Sequence, residues 1–210
     1  MRGREIQSLR TDKNRNVKMR ITRKQLEKLI KEEVGAIISL DALGGMPVAV
    51  GASAAPSASF EEQMVSLLGC LRSAGVWFHA AHNLSKGTGF AGDHVNIYGE
   101  IYEALVDDYD GAAEKAIGIS GDEGVACPHK VMAVALEKMG KYSSPSGASA
   151  AAIASTALQI VRDLNDHVES LFASLEADGE LPLGLNDFLA AAANDYTKYI
   201  YLLQQRVKES

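Results

Sequence analysis

From residue 60 onward, apolar residues recur every three or four positions through four long stretches, and glycines punctuate them. The two-residue alternation of a strand is almost absent. That periodicity is the strongest constraint on this chain, because a 3.6-residue period cannot sit as a sheet and must bury one face of a helix. The first stretch runs from about Ser59 to Leu84, with Met64, Leu67, Leu68, Leu71, Val76 and Phe78 as core candidates, and Gly87 and Gly89 break it. The second runs from about Phe90 to Ile117 and stops at Gly118 and Gly121. A shorter one covers about Pro128 to Met139. The third long stretch covers about Ala148 to Leu175, ended by Asp178-Gly179. The fourth runs from about Leu185 to Val207, with Asn186 as its cap. Helices of this length extend roughly 35–42 Å. The sequence therefore predicts an all-α fold: a four-helix bundle with a short helix between the second and third long ones.

The first 59 residues differ in kind. Residues 1–34 hold 11 Lys/Arg against 5 Asp/Glu, a balance of +6, whereas the remainder holds 10 against 22, a balance of −12. A basic arm on an acidic body can hold a polyanion through counterion release, with little sequence preference. Met1 to Lys18 lacks hydrophobic period and reads as disordered. Residues 22–34 read as a short amphipathic helix, with Thr22 and Gln25 in capping-box spacing and Leu26, Leu29, Ile30 and Val34 as its stripe. Gly, Ala, Ser and Pro dominate 35–59, a flexible linker. Two domains are thus expected, a basic tail over 1–59 and a helical body over 60–210. There is no long apolar run for a membrane span and no apolar segment behind the basic start for a secretory signal, so a cytoplasmic location is expected. Cys70 and Cys127 fit no metal or disulfide spacing and read as reduced thiols.

Chemistry concentrates near the break between the first two helices. His79 and His82 share a face of the first helix, and His94 lies early in the second. The second helix carries Glu100, Glu103, Asp107, Asp110 and Glu114 at spacings of three and four, on one side. Imidazoles with carboxylates suit Fe(II), Mn(II) or Zn(II). A long acidic stripe is also simply what a solvated helix face looks like. Asp163 and His167, four apart on the third long helix, form a competing pair that reads equally as a surface contact.

Specific segments sharpen this. His82-Asn83-Leu84-Ser85-Lys86-Gly87 resembles the His-Trp-Asn-Val-(Lys/Arg)-Gly segment that ends the first helix in DNA-protecting mini-ferritins of the Dps type, and Phe90 and His94 follow at that family's distances. Asp110-Gly111-Ala112-Ala113-Glu114-Lys115 resembles its Asp-x-x-Ala-Glu-Arg segment, and the helix through Asp187, Asp195 and Tyr199 resembles its closing helix. The resemblance implies a ferritin-like bundle assembled as a homo-oligomer, a spherical dodecamer, that oxidises Fe(II) and stores iron. It implies an iron site between subunits, with His82 and His94 from one and Asp110 and Glu114 from its neighbour. Two departures stand out. Tyr98 occupies the place of a family carboxylate one turn after His94. One residue is also inserted between His94 and Asp110, so Glu100 supplies the missing oxygen only if the register shifts.

The basic arm would tether such a particle to DNA, as lysine-rich tails do in some members. The alternative expectation is a non-catalytic protein. Met19-Arg20-Ile21-Thr22-Arg23-Lys24-Gln25-Leu26 resembles a leader seen on many phage proteins, which makes Met19 an alternative start. On this reading the chain is a phage structural or partner-binding protein that keeps the fold without metal, with 22–34 as its docking peptide.

Overall fold

A computed structural model describes residues 58–208. The expected basic tail, amphipathic helix at 22–34 and linker fall on residues outside those described. Those described form an all-helical bundle. In chain order they are α1 (Phe60–Leu84), a π-helical stretch (Gly92–Gly99) continuous with α2 (Glu100–Ser120), a 3-10 turn (Glu123–Ala126), α3 (Pro128–Met139), α4 (Ala150–Asp178) and α5 (Leu183–Lys208). No strand occurs among the described residues. None of their helices is long and apolar enough to cross a membrane.

Local chemistry sets the boundaries. Ser59 accepts a hydrogen bond from the Glu62 amide at 3.3 Å, and Glu62 accepts one from the Ser59 amide at 3.0 Å, a reciprocal cap on α1. Gly121 ends α2 and Gly179 ends α4 at φ of +69° and +74°, a conformation that favours glycine. Ser149 caps α4 through the Ala152 amide. The last helix differs from expectation at its start. The Pro182 carbonyl accepts from the Leu185 and Asn186 amides, so α5 begins at Leu183 and Asn186 lies inside its first turn rather than capping it. The second helix also runs past Gly118 to Ser120.

α1 is central, packing on α2, α3 and α4, while α5 packs on α4 and touches α2 and the π-helical stretch. Met64, Leu67, Leu68, Leu71 and Phe78 of α1 meet Ile101 and Leu105 of α2 and Ile153, Ile160 and Leu175 of α4 in the core. Each such side chain contributes roughly 1.5–3 kcal/mol on burial. Val76, expected in that core, is 45% exposed; Ala74, Trp77 and Phe78 define the buried arc beside it. Gly69 has a packing role. A Cβ there would lie 2.3 Å from Val134 Cγ1, so α3 seats against bare backbone of α1.

Candidate functional site

The π-helical stretch decides where His94 goes. Five residues of irregular chain (Ser85–Gly89) follow α1, with Gly87 at φ +85°. The helix then restarts and takes the wider π winding over Gly92–Gly99 before tightening at Glu100. Windings of this kind accommodate an extra residue in a helix and recur at functional sites. Here the wider turn lays the His94 ring on the His82 ring, centroids 3.8 Å apart and planes 18° from parallel. Phe90 also stacks on His94, with centroids 5.1 Å apart.

The two histidines are locked reciprocally. His82 Nδ1 lies 2.6 Å from the His94 carbonyl oxygen, and His94 Nδ1 lies 2.6 Å from the His82 carbonyl oxygen. A carbonyl only accepts, so each Nδ1 must donate, and in the neutral ring each Nε2 is left with its lone pair. Gly99 makes the approach possible. A Cβ there would sit 2.8 Å from the His94 carbonyl oxygen and 3.1 Å from His82 Nδ1.

Directly beside His94, Asp93 is 2% exposed and forms two hydrogen bonds with Arg206 of α5, Nε to Oδ1 at 2.7 Å and Nη2 to Oδ2 at 3.0 Å. Beneath them Tyr98 is 1% exposed, and its hydroxyl has no hydrogen-bond partner. Burial pushes the Tyr98 phenol well up, and the Asp93 carboxylate adds to the shift. The phenol is thus a protonated core group and does not replace the carboxylate that the resemblance places at this position.

The expected carboxylates do not join the histidines within one chain. Glu100 accepts a hydrogen bond from the Lys198 ammonium of α5. Asp110 and Glu114 are exposed on α2. Asp110 is 16 residues beyond His94, roughly 20 Å or more along the axis. No group of three His, Cys, Asp or Glu side chains able to hold an ion occurs among the described residues. The other candidates have separate roles. His79 stacks on Tyr102 at 4.6 Å, and His129 is exposed at the start of α3. Asp163 accepts from the Tyr142 hydroxyl at 3.0 Å. His167 is half-buried with its Nε2 unpartnered, and burial, then the nearby Lys138 ammonium, holds its imidazole below the ordinary value.

Asp93, Gly99 and Arg206 were not singled out from the sequence. Asp93 adjoins His94 and offered a signal of proximity, but its partner is 113 positions away.

The fold and this junction define an all-helical bundle with a carbonyl-locked imidazole pair at one helix break. No family model matches the chain, and no curated protein matches it.

Proposed function

We propose that the chain is a metal-handling, ferritin-like bundle. In this reading His82 and His94 supply two imidazole nitrogens to a divalent transition-metal substrate such as Fe(II), and a second copy supplies the carboxylates of Asp110 and Glu114. The reciprocal Nδ1–carbonyl lock carries the reading. Metal-binding imidazoles characteristically use one nitrogen on a backbone carbonyl or carboxylate and offer the other to the ion. Both rings here are fixed in that tautomer. The donor set suits Fe(II), Mn(II) or Zn(II), while the two cysteines belong to neither segment.

Three further observations support it. The separation along α2 keeps Asp110 and Glu114 from the same chain's histidines, so a complete site needs another subunit. Leu84, Phe90 and Val95, in the two segments bearing the histidines, remain 40%, 47% and 61% exposed, an apolar collar suited to an intersubunit contact. The π-helical winding, Gly92–Gly99, overlaps the interval from His94 to Asp110 in which this chain has one residue more than the Dps-like motif, and a π turn is how a helix absorbs one. The bound ion would be oxidised by peroxide or oxygen, and the acidic body would concentrate cations.

Subunit complementation tests this. Neither a His82→Ala/His94→Ala chain nor an Asp110→Ala/Glu114→Ala chain should oxidise Fe(II) faster than the uncatalysed reaction. Mixing and reassembling the two should restore activity at the fraction of sites that pair intact halves. Oxidation unchanged in both variants would eliminate the site. The non-catalytic alternative draws on the Lys198–Glu100 pair, which engages the Glu100 carboxylate within the chain; it expects purified wild-type particles without metal uptake.

A further inference from the structure

The buried ion pair between Asp93 and Arg206 is an unexpected feature at this end of the bundle. Taking two charges out of water is costly, and a buried pair often contributes no more to stability than well-packed apolar residues. The pair is nonetheless nearly enclosed, with side-chain exposures of 4% for Asp93 and 14% for Arg206. Its geometry is the two-pronged one in which guanidinium and carboxylate fix each other's orientation as well as position. The surroundings are shaped to it. A Cβ on Gly89 would lie 3.0 Å from Arg206 Nη2 and 3.2 Å from Asp93 Oδ2, so a bare glycine cradles the guanidinium. The Asp93 amide donates to the Gly89 carbonyl at 2.9 Å, closing the first turn after the break. Arg206 itself sits in the last turn of α5.

The location gives the pair its consequence. Asp93 lies in the first turn of the π-helical stretch, and the next residue is His94. A π turn has poorer intrinsic stability than an α turn and persists only where tertiary contacts hold it. If the stretch relaxed by one residue to α winding, the side chains on one side of it would rotate by about 100° relative to the other. His94 could not keep its ring on His82 through such a rotation. Two ties oppose it: the imidazole–carbonyl lock and the Asp93–Arg206 pair. The first ties the stretch to α1, and the second ties it to α5.

We propose that Arg206 is a positioning residue for the histidine pair: by clamping Asp93, the end of α5 holds the π-helical winding that stacks His94 on His82 and fixes both Nδ1–H tautomers. Coupling of this kind is reciprocal. An ion that fastens the two imidazoles therefore also steadies the last turn of α5, and loosening that turn weakens the ion's hold. The metal half rests on the function proposed above; the ring-geometry half does not.

The test uses full-length protein without metal and reads the imidazole nitrogens by long-range 1H–15N NMR. In wild type both His82 and His94 show the Nδ1–H tautomer. In Arg206→Gln both lose that single-tautomer signature while helix content by circular dichroism is retained, and Arg206→Lys, which keeps the charge without the fork, is intermediate. Lys198→Gln, which removes the other α5 ion pair, leaves both rings unchanged; an effect of general α5 loosening would move them there too. Co(II) titration should weaken about tenfold or more in Arg206→Gln, the range for loss of a group that orients metal ligands. Unaltered tautomers in Arg206→Gln overturn the proposal. If that variant does not fold, Asp93→Asn, which keeps the side chain's shape, is read by the same two criteria. Rings that respond in the variants while wild type binds no Co(II) leave the clamp standing and reject the metal reading instead.

Discussion

His82 and His94 each donate from Nδ1 to the other's main-chain carbonyl, both at 2.6 Å, so neither ring can turn without releasing its partner's backbone. Gly99 is the residue that lets this happen, because its missing Cβ leaves space for the His82 ring and the His94 carbonyl. Gly99→Ala places a methyl group 2.8 Å from that oxygen, and both neighbours are held by the same lock. The expected cost is about 1–3 kcal/mol, as for overpacking elsewhere in a tight core. The Nδ1–H tautomer signature should be lost at both rings together. Chemical denaturation and imidazole NMR check the two effects; a variant with wild-type stability and intact tautomers would refute the close approach.

The bundle was legible in the sequence because its signals are local. The glycines at 121 and 179 end helices through their own positive φ, and Ser59 with Glu62 starts one within four residues. The core was legible only as a direction. Periodicity placed Val76 near the buried arc, but the width of that arc depends on how closely α2 and α3 approach α1, which no single helix encodes. Asn186 was misassigned as a cap because Asn is a good side-chain cap, whereas Pro182 begins the helix with its carbonyl. The site was half legible. His82 and His94 could be paired from a motif, but the winding that stacks them depends on Arg206, more than a hundred residues away. No local propensity announces a π turn held by a distant guanidinium.

Tyr196 donates to Asp108 Oδ2 at 2.7 Å and so ties α5 to α2. Burial raises the Asp108 carboxyl above its ordinary value, and the Tyr196 hydrogen bond only partly opposes this. The folded state therefore takes up its proton at higher pH than the unfolded chain does. This residue's contribution to stability grows as pH falls through the raised folded value toward about 3.9 and levels off below it. Asp108→Asn keeps an acceptor for Tyr196 without the charge. It should be more stable than wild type at pH 8, by a margin that shrinks on acidification. Asp108→Ala strands the Tyr196 hydroxyl and should cost about 1–3 kcal/mol. Urea unfolding of the three proteins between pH 8 and pH 4 checks both statements.

His167 predicts the opposite slope. Its imidazole is held below the ordinary value, chiefly by burial, so the unfolded chain accepts a proton before the folded one does. Stability from this residue is present above about pH 6.5 and is lost as pH falls from there toward the lowered folded value. His167→Gln removes the titration. The drop in unfolding midpoint between pH 7.5 and pH 5.5 should be smaller in this variant than in wild type. Equal drops would mean that other groups dominate the acid limb.

The contact between α1 and α3 gives a prediction independent of the candidate site. Gly69 faces Val134 so closely that an added Cβ would lie 2.3 Å from its Cγ1 and 2.6 Å from its Cβ. Alanine favours a helix interior over glycine by about 1 kcal/mol, so propensity alone would make Gly69→Ala stabilising. The steric term should win, because the nearest atoms belong to a β-branched side chain with little rotamer freedom and to the helix carrying it. The expected net loss is about 1–3 kcal/mol. Val134→Ala deletes the Cγ1 contact but leaves the Cβ in place, so the double variant should recover only part of that loss. A double-mutant cycle should give a coupling of about 0.5 kcal/mol or more in the compensating direction. A Gly69→Ala protein as stable as wild type would mean that α3 rides farther from α1 than this geometry places it.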